Sequence, residues 1–330
     1  MVLDFPLAIV AASLLSFVVT FFFILWLIKG KANWALDYPN SRSLHSVPVP
    51  RIGGLGLLLG VMVTWFLFSV ALPLALWIGI VLLVLVSLVD DIWHAPVWCR
   101  LLMQSMVAAG FAGTFLLAGY GWTVVLLVSM AIIWMSNLYN FMDGSDGLAG
   151  GMTLIGFGYY GLFALLAGSY EFAMVNFSIA AAAMAFLYYN FYPARIFLGD
   201  AGAIPLGFLA AALGVLGWLD GLWSLWLPIL VFSPFIADAT VTLMKRFIRG
   251  EKIWHAHREH YYQRMVQTVF GHRNTALSAY VLMLMVGASA VWAGNQDIVI
   301  QGQVAMLWGV IYLLLMFASD WYQTHSHGRR

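Results

Sequence analysis

Apolar runs of membrane-crossing length alternate along this chain with short polar stretches. A helix needs roughly 20 mostly apolar residues to cross the hydrocarbon core. Eleven runs meet that need, near 6–28, 53–71, 73–89, 101–118, 121–137, 148–168, 172–189, 204–218, 222–243, 276–294 and 300–319. The pattern predicts an all-α, polytopic membrane protein of about eleven transmembrane helices. No linker divides it, so residues 1–330 read as one integral membrane domain. One set of connections is tight (Leu72-Pro73, Gly119-Tyr120, Gly168 to Glu171, Asp220-Gly221). The other set is longer and more polar: 30–52, 90–100, 138–147, 190–203 and 245–275.

Charge orients this layout. All 15 Lys and Arg fall on the side of the longer loops, whereas the tight side carries Asp4, Glu171, Asp220 and Asp297 and no cation. Positive charge is retained on the cytoplasmic face during insertion. The N-terminus is therefore expected outside and the C-terminus in the cytoplasm, with the other ten acids and all eight His on or near the inner face. Sixty-three per cent apolar and nine per cent charged residues lie far from soluble composition and exclude a nucleic-acid binder. Cys99 is alone, so no internal disulfide forms. The first run carries Asp4 instead of a basic leader and ends in Lys29 and Lys31, which reads as a retained first span. Gly56 with Gly60, and Gly147 with Gly151, are small-xxx-small pairs suited to close helix packing.

The inner loops gather acids. Asp90 and Asp91 end the third run, Asp143 and Asp146 lie in Asn140-Phe141-Met142-Asp143-Gly144-Ser145-Asp146-Gly147, and Asp200 lies in Phe197-Leu198-Gly199-Asp200. Singly, each has a plain reading as a solvated or capping acid; Asp146 suits the N-cap of the sixth helix. Asp238 differs, because it lies inside the ninth run, where a carboxylate is costly and functional by default. Five acids on one face, with Arg195 the one cation read beside them, repel one another unless a cation binds between them. Oxygen ligands suit magnesium shared with substrate phosphates. No Cys cluster offers a zinc site. Asn137 and Asn140 add neutral groups for a nucleotide or for supporting the metal.

Basic groups stand nearby. In the first inner loop Arg42, His45 and Arg51 either grip phosphate or anchor at lipid headgroups. The last inner loop holds His255, His257, Arg258 and His260, suited to metal ligation, anionic lipid or phosphate; Arg258 offers a forked anion contact. An acidic, metal-ready cluster beside a basic loop is the layout of phosphoryl transfer. Its position at a membrane face implies one soluble and one lipid substrate.

At these motifs the chain resembles the polyprenyl-phosphate N-acetylhexosamine-1-phosphate transferases (glycosyltransferase family 4). The resemblance rests on Pro48-x-Pro50-Arg51-x-Gly53-Gly54, Asp90-Asp91, Asn140 to Gly147, Phe197 to Gly202 and the His-rich loop. It implies transfer of a sugar-1-phosphate from a UDP-N-acetylhexosamine to undecaprenyl phosphate, releasing UMP, with magnesium as cofactor or manganese in its place. Asp143 and Asp200 would then bind the metal and the diphosphate, while Asp90 and Asp91 would orient or deprotonate the lipid phosphate. Asn140 and Asp146 would hold the nucleotide or support the metal; Arg51, His255, His257, Arg258 and His260 complete the substrate-binding set. The pentapeptide-transferring branch resembles Asp-Asp-x-x-Lys with three consecutive His. Here His94 occupies the Lys position and Ala256 interrupts the His run. The stretch His257-Arg258-x-His260-x-Tyr262-Gln263 instead resembles the branch that initiates O-antigen, placing the chain in a bacterial inner membrane among its lipids. Two other readings stand beside this one: a secondary transporter or flippase, and a pentapeptide transferase of peptidoglycan synthesis. A homodimer through small-residue faces is also expected.

Overall fold

With no water in the bilayer core, a lone segment satisfies its N–H and C=O groups only as helix. The computed structural model of the chain is accordingly helical almost throughout. It describes residues 5–30, 35–39, 44, 47–93, 96–252, 257–268 and 270–326; Arg42, His45, His94 and His255 lie outside the described residues. The order is α1 (Phe5–Lys29), β1 (Leu36–Asp37), β2 (Val49–Pro50), α2 (Gly53–Leu67), α3 (Leu74–Trp93), α4 (Val97–Phe141) and α5 (Leu148–Leu166). There follow α6 (Tyr170–Asn190), α7 (Asp200–Leu219), α8 (Trp226–Val231), α9 (Ser233–Ile248), α10 (Tyr261–Val266), α11 (Gly271–Gly294) and α12 (Ile298–Ser326). Each of the eleven apolar runs falls on helix. Eight helices are long and apolar enough to cross a membrane; α2 is a shorter apolar helix.

Several boundaries differ from the expected runs, and three of the differences bear on the site. The fourth and fifth runs form the single 45-residue α4, broken only at Gly121 (φ 76°, ψ 175°), a backbone conformation that favours glycine. The ninth run is not continuous. It splits at Phe232 into α8 and α9, where Pro234 in the first turn of α9 has no N–H to continue the ladder. The eighth starts earlier than expected, so that Asp200 heads α7 instead of lying in a loop. Among the described residues, the one element outside the helices is a two-residue ribbon pairing Leu36 with Pro50 and Asp37 with Val49.

The core is α7, buried along nearly its whole length and packed on α3 and α4, with α6 filling between α1 and α5. Contacts between these helices are too close for side chains. A Cβ on Gly54 would lie 2.2 Å from Gly202 Cα, and one on Gly60 2.1 Å from Thr20 Oγ1. The longer loops meet at one end of the bundle, joined by bonds such as Gly53 N–H to Phe197 O and Gly54 N–H to Leu198 O (both 2.8 Å). At the other end a tight connection donates Ala71 N–H to Glu171 Oε1 (2.7 Å).

Candidate functional site

The site begins with a turn. Gly199 has φ +75°, and a Cβ there would lie 2.0 Å from Arg51 O, so only glycine brings 197–199 against Arg51. The turn aims the start of α7 at the end of α3. Asp91, buried in the last turns of α3, accepts N–H groups from Ala201 (3.0 Å) and Asp200 (3.4 Å). Those donors have no partner within their own helix, and the helix dipole favours an anion there. Arg51 completes the joint: Nη2 donates to Asp91 O (2.5 Å), and Nε lies 3.6 Å from Asp91 Oδ1.

Asp90 and Asp200 share one cation. Arg100 Nη1, in the first turn of α4, is 2.6 Å from Asp90 Oδ2 and 2.7 Å from Asp200 Oδ2. The second oxygen of Asp200 accepts from Asn140 Nδ2 (2.7 Å), in the last turn of α4. The break at Gly121 folds α4 back on itself, so one helix delivers both groups to the same acid. This corrects the expectation that Arg195 is the neighbouring cation. Arg195 instead lies over the rings of Tyr188 and Tyr189 and donates to Tyr188 O (3.2 Å). Arg100 lies ten residues beyond Asp90, and its sign and its place at the start of an apolar run were the available clues.

Asp143, between α4 and α5, is partly buried and faces the same acids. Burial pushes its carboxyl well above the usual carboxylate range, and the charges of Asp200 and Asp91 push the same way; a hydrogen bond from Gly199 N–H opposes them. An anion so disfavoured is what a cation relieves. The donor set is hard oxygen, and it fits a divalent ion that shares phosphate oxygens. Among the described residues no three acids or histidines already form a closed metal cage.

The other candidates lie around this cluster. Asp146 is buried, but its oxygens are engaged by Ala194 N–H (3.0 Å) and His272 Nδ1 (3.6 Å), so it joins loops instead of capping α5. His272, which the sequence reading passed over, also lies 3.0 Å from Ser145 Oγ and 3.1 Å from Leu44 O. Asn137 donates to Gln104 Oε1 (2.6 Å). In the last loop the rings of His257 and His260 are 4.9 Å apart, and Arg258 is partly buried. His260 is 2% exposed and packs on Phe141, the residue that leads to Asp143. Arg246 and Arg249 both pair with Glu259 and so brace this loop.

The family described as glycosyl transferase family 4 matches residues 73–218, a span that holds Asp90, Asp91, Arg100, Asn140, Asp143 and Asp200. A probable undecaprenyl-phosphate N-acetylglucosaminyl 1-phosphate transferase of Bacillus subtilis (strain 168) is 27% identical, over 78% of this chain and 76% of its own. Over residues 73–218 the chain is similar to glycosyl transferase family 4. Two further relatives extend the range of the family. A decaprenyl-phosphate N-acetylglucosaminephosphotransferase of Mycobacterium tuberculosis (strain CDC 1551 / Oshkosh) is 28% identical, covering 80% of this chain and 77% of the relative. A phospho-N-acetylmuramoyl-pentapeptide-transferase of Moorella thermoacetica (strain ATCC 39073 / JCM 9320) is 32% identical, covering 57% and 66%.

Proposed function

We propose that this protein transfers an N-acetylhexosamine-1-phosphate from a UDP-sugar to undecaprenyl phosphate, forming a lipid-linked diphosphate sugar and releasing UMP. The observation that carries the reading is the cluster of Asp90, Asp91, Asp143 and Asp200 with Arg51, Arg100 and Asn140 at one end of a membrane bundle. In the reaction an oxygen of the lipid phosphate attacks the sugar-bearing phosphorus. The bond from that phosphorus to the bridging oxygen breaks, and UMP leaves with the electron pair. A lipid phosphate is mostly ionised at neutral pH, so direct attack needs little from a base. Asp143 and Asp200 would hold magnesium, or manganese in its place, which supplies Lewis-acid neutralisation of the diphosphate. Arg100, which now pairs with Asp90 and Asp200, would offer its guanidinium to phosphate. Asn140 keeps Asp200 oriented, and Asp91 with Arg51 keeps α7 in place. His257 and Arg258 would contact the sugar phosphate, with the buried His260 behind them.

The names of the Bacillus and Mycobacterium relatives make UDP-N-acetylglucosamine the first donor to test. N-acetylfucosamine and N-acetylgalactosamine donors come next. The His-loop pattern supports initiation of O-antigen or a related surface polysaccharide. The charge asymmetry supports a bacterial inner-membrane location, with the site cytoplasmic, the N-terminus outside and the C-terminus inside. UMP release by detergent-purified protein tests the reaction. Release that requires both undecaprenyl phosphate and magnesium is expected, and the donor that yields it names the sugar. Release from UDP-MurNAc-pentapeptide alone would move the chain to the peptidoglycan branch. No UMP from any donor would refute the reading.

A further inference from the structure

A carboxylate buried in a helix is costly unless its oxygens find partners. Asp238 lies in α9, is 7% exposed, and has no partner among the acids and cations of the site described above. Its two oxygens are taken up by the last inner loop instead. Oδ1 accepts Tyr261 N–H and Oδ2 accepts Tyr262 N–H, both at 2.9 Å. Oδ1 is also 3.2 Å from Thr242 Oγ1, one turn along α9, and 3.3 Å from His260 Nδ1. The side chain thus satisfies the first two N–H groups of α10 from a different helix, beside the capping box that His260 and Gln263 make within α10 itself.

Two threads run from this point into the site. Tyr262 donates its hydroxyl to Phe141 O (2.9 Å), two residues before Asp143. Its hydroxyl oxygen would lie 2.3 Å from a Cβ on Gly144, so the tyrosine fits against the Asp143 loop without clearance. The second thread is His260, whose ring is stacked between Phe141 and Tyr262 (6.2 and 5.9 Å between centroids) and meets His257 at 4.9 Å. We propose that Asp238 is a positioning residue that holds the loop carrying His257 and Arg258 in register with the loop carrying Asp143. It touches neither substrate nor metal. This inference rests on the transferase reading for its kinetic consequence, but the register itself is measurable without turnover.

Asn at this position keeps the shape but offers one acceptor oxygen for two N–H donors, and turns an amide toward the other. Glu keeps both acceptors on a longer stem. In the full-length detergent-purified protein, hydrogen–deuterium exchange of Asp238→Asn is expected to rise in both 257–266 and 141–147, with α5 unchanged. Exchange unaltered in 141–147 overturns the proposal whether or not the protein turns over. Kinetics then separate register from simple loss of fold. Per folded molecule, Asp238→Asn is expected to lower kcat by about tenfold or more, the scale of a lost charge-assisted hydrogen bond. It should also raise KM for the UDP-sugar and leave KM for undecaprenyl phosphate unchanged. Asp238→Glu should recover part of the loss. Tyr262→Phe severs one thread alone, so its effect combined with Asp238→Asn should fall short of the product of the two. Independent, multiplying effects, or folded Asp238→Asn with wild-type kcat, would overturn it. Wild-type protein that makes no UMP with any donor defeats the transferase reading alone and leaves the exchange result to decide the register.

Discussion

Replacing Arg100 with Gln removes the one cation that Asp90 and Asp200 share, at 2.6 and 2.7 Å. The three side chains are 25%, 13% and 22% exposed, which sets the scale. A surface pair contributes under about 1 kcal/mol. Breaking a fully buried one costs about 3–5 kcal/mol. This site lies between those limits, so a perturbation of about 2 kcal/mol is expected, close to 30-fold in an equilibrium constant. The sign differs for the two properties that matter. A divalent ion loses its competitor, so magnesium should bind more tightly to Arg100→Gln, by about tenfold or more. Transfer should fall by about a hundredfold, because the charge that develops on the diphosphate loses a positioned donor. Arg100→Lys should recover only part of the rate, since an ammonium cannot reproduce the fork. The assay pairs a magnesium titration followed by thermal unfolding with UMP release on the same preparation. Magnesium binding that is unchanged or weaker, with transfer within about threefold of wild type, would refute the reasoning.

Gly199→Ala places a Cβ 2.0 Å from Arg51 O at φ +75°, and should abolish transfer and lower the unfolding temperature by several degrees, about 1–3 kcal/mol of backbone strain. For Asp143, a carboxyl raised by burial and by Asp200 and Asp91 binds its proton more tightly folded than unfolded. Its contribution to the stability of metal-free protein is therefore full below the ordinary carboxylate range and is lost as pH rises through the raised value. Magnesium favours the ionised form, so the metal-induced rise in unfolding temperature should grow from acid to mildly alkaline pH; a rise independent of pH would count against Asp143 as a ligand. Asp320→Ala removes the partner that α12 supplies to Lys245 and Arg264. That clasp is over a third exposed at Asp320 and includes none of Asp90, Asp91, Asp143 and Asp200, so UMP release should stay within about twofold of wild type, on the scale of a surface pair.

The helices and the gathering of polar chemistry at one end were legible because both follow from hydrophobic length and charge sign, which are local properties. The breaks were less so. Gly119-Tyr120 marked a turn, but that Gly121 alone carries it depends on one φ angle. Phe232 was not a visible break, because an apolar run hides a proline's missing donor. Asp90, Asp91, Asn140, Asp143 and Asp200 were singled out from motifs, yet how they divide the work was hidden. Asp91 serves the backbone of α7, Asp90 and Asp200 divide one guanidinium, and Asp146 is turned toward His272. Such pairings span up to 126 residues (Asp146 to His272), and no periodicity reports them. Arg100 was overlooked because it opens an apolar helix, where a basic residue is ordinarily read as a topology signal. Asp238 stood out as an acid in an apolar run, but two of its partners are the backbone N–H groups of Tyr261 and Tyr262, which carry no signature in a sequence.

The break at Gly121 has a mechanical side. From there to Asn140 the helix runs about 30 Å at 1.5 Å per residue, with the return arm to Arg100 of similar length. A tilt of one arm by about one degree displaces its end by about 0.5 Å, the tolerance within which a catalytic constellation must be held. The turn that looks idle on the far face is thus the fulcrum of a long lever, and its load is the spacing between a guanidinium and a carboxamide that grip the same aspartate. Helices answer bilayer thickness by tilting. The thickness of the host membrane therefore becomes a variable of the candidate site, transmitted through a residue where an added Cβ would meet nothing within 4 Å.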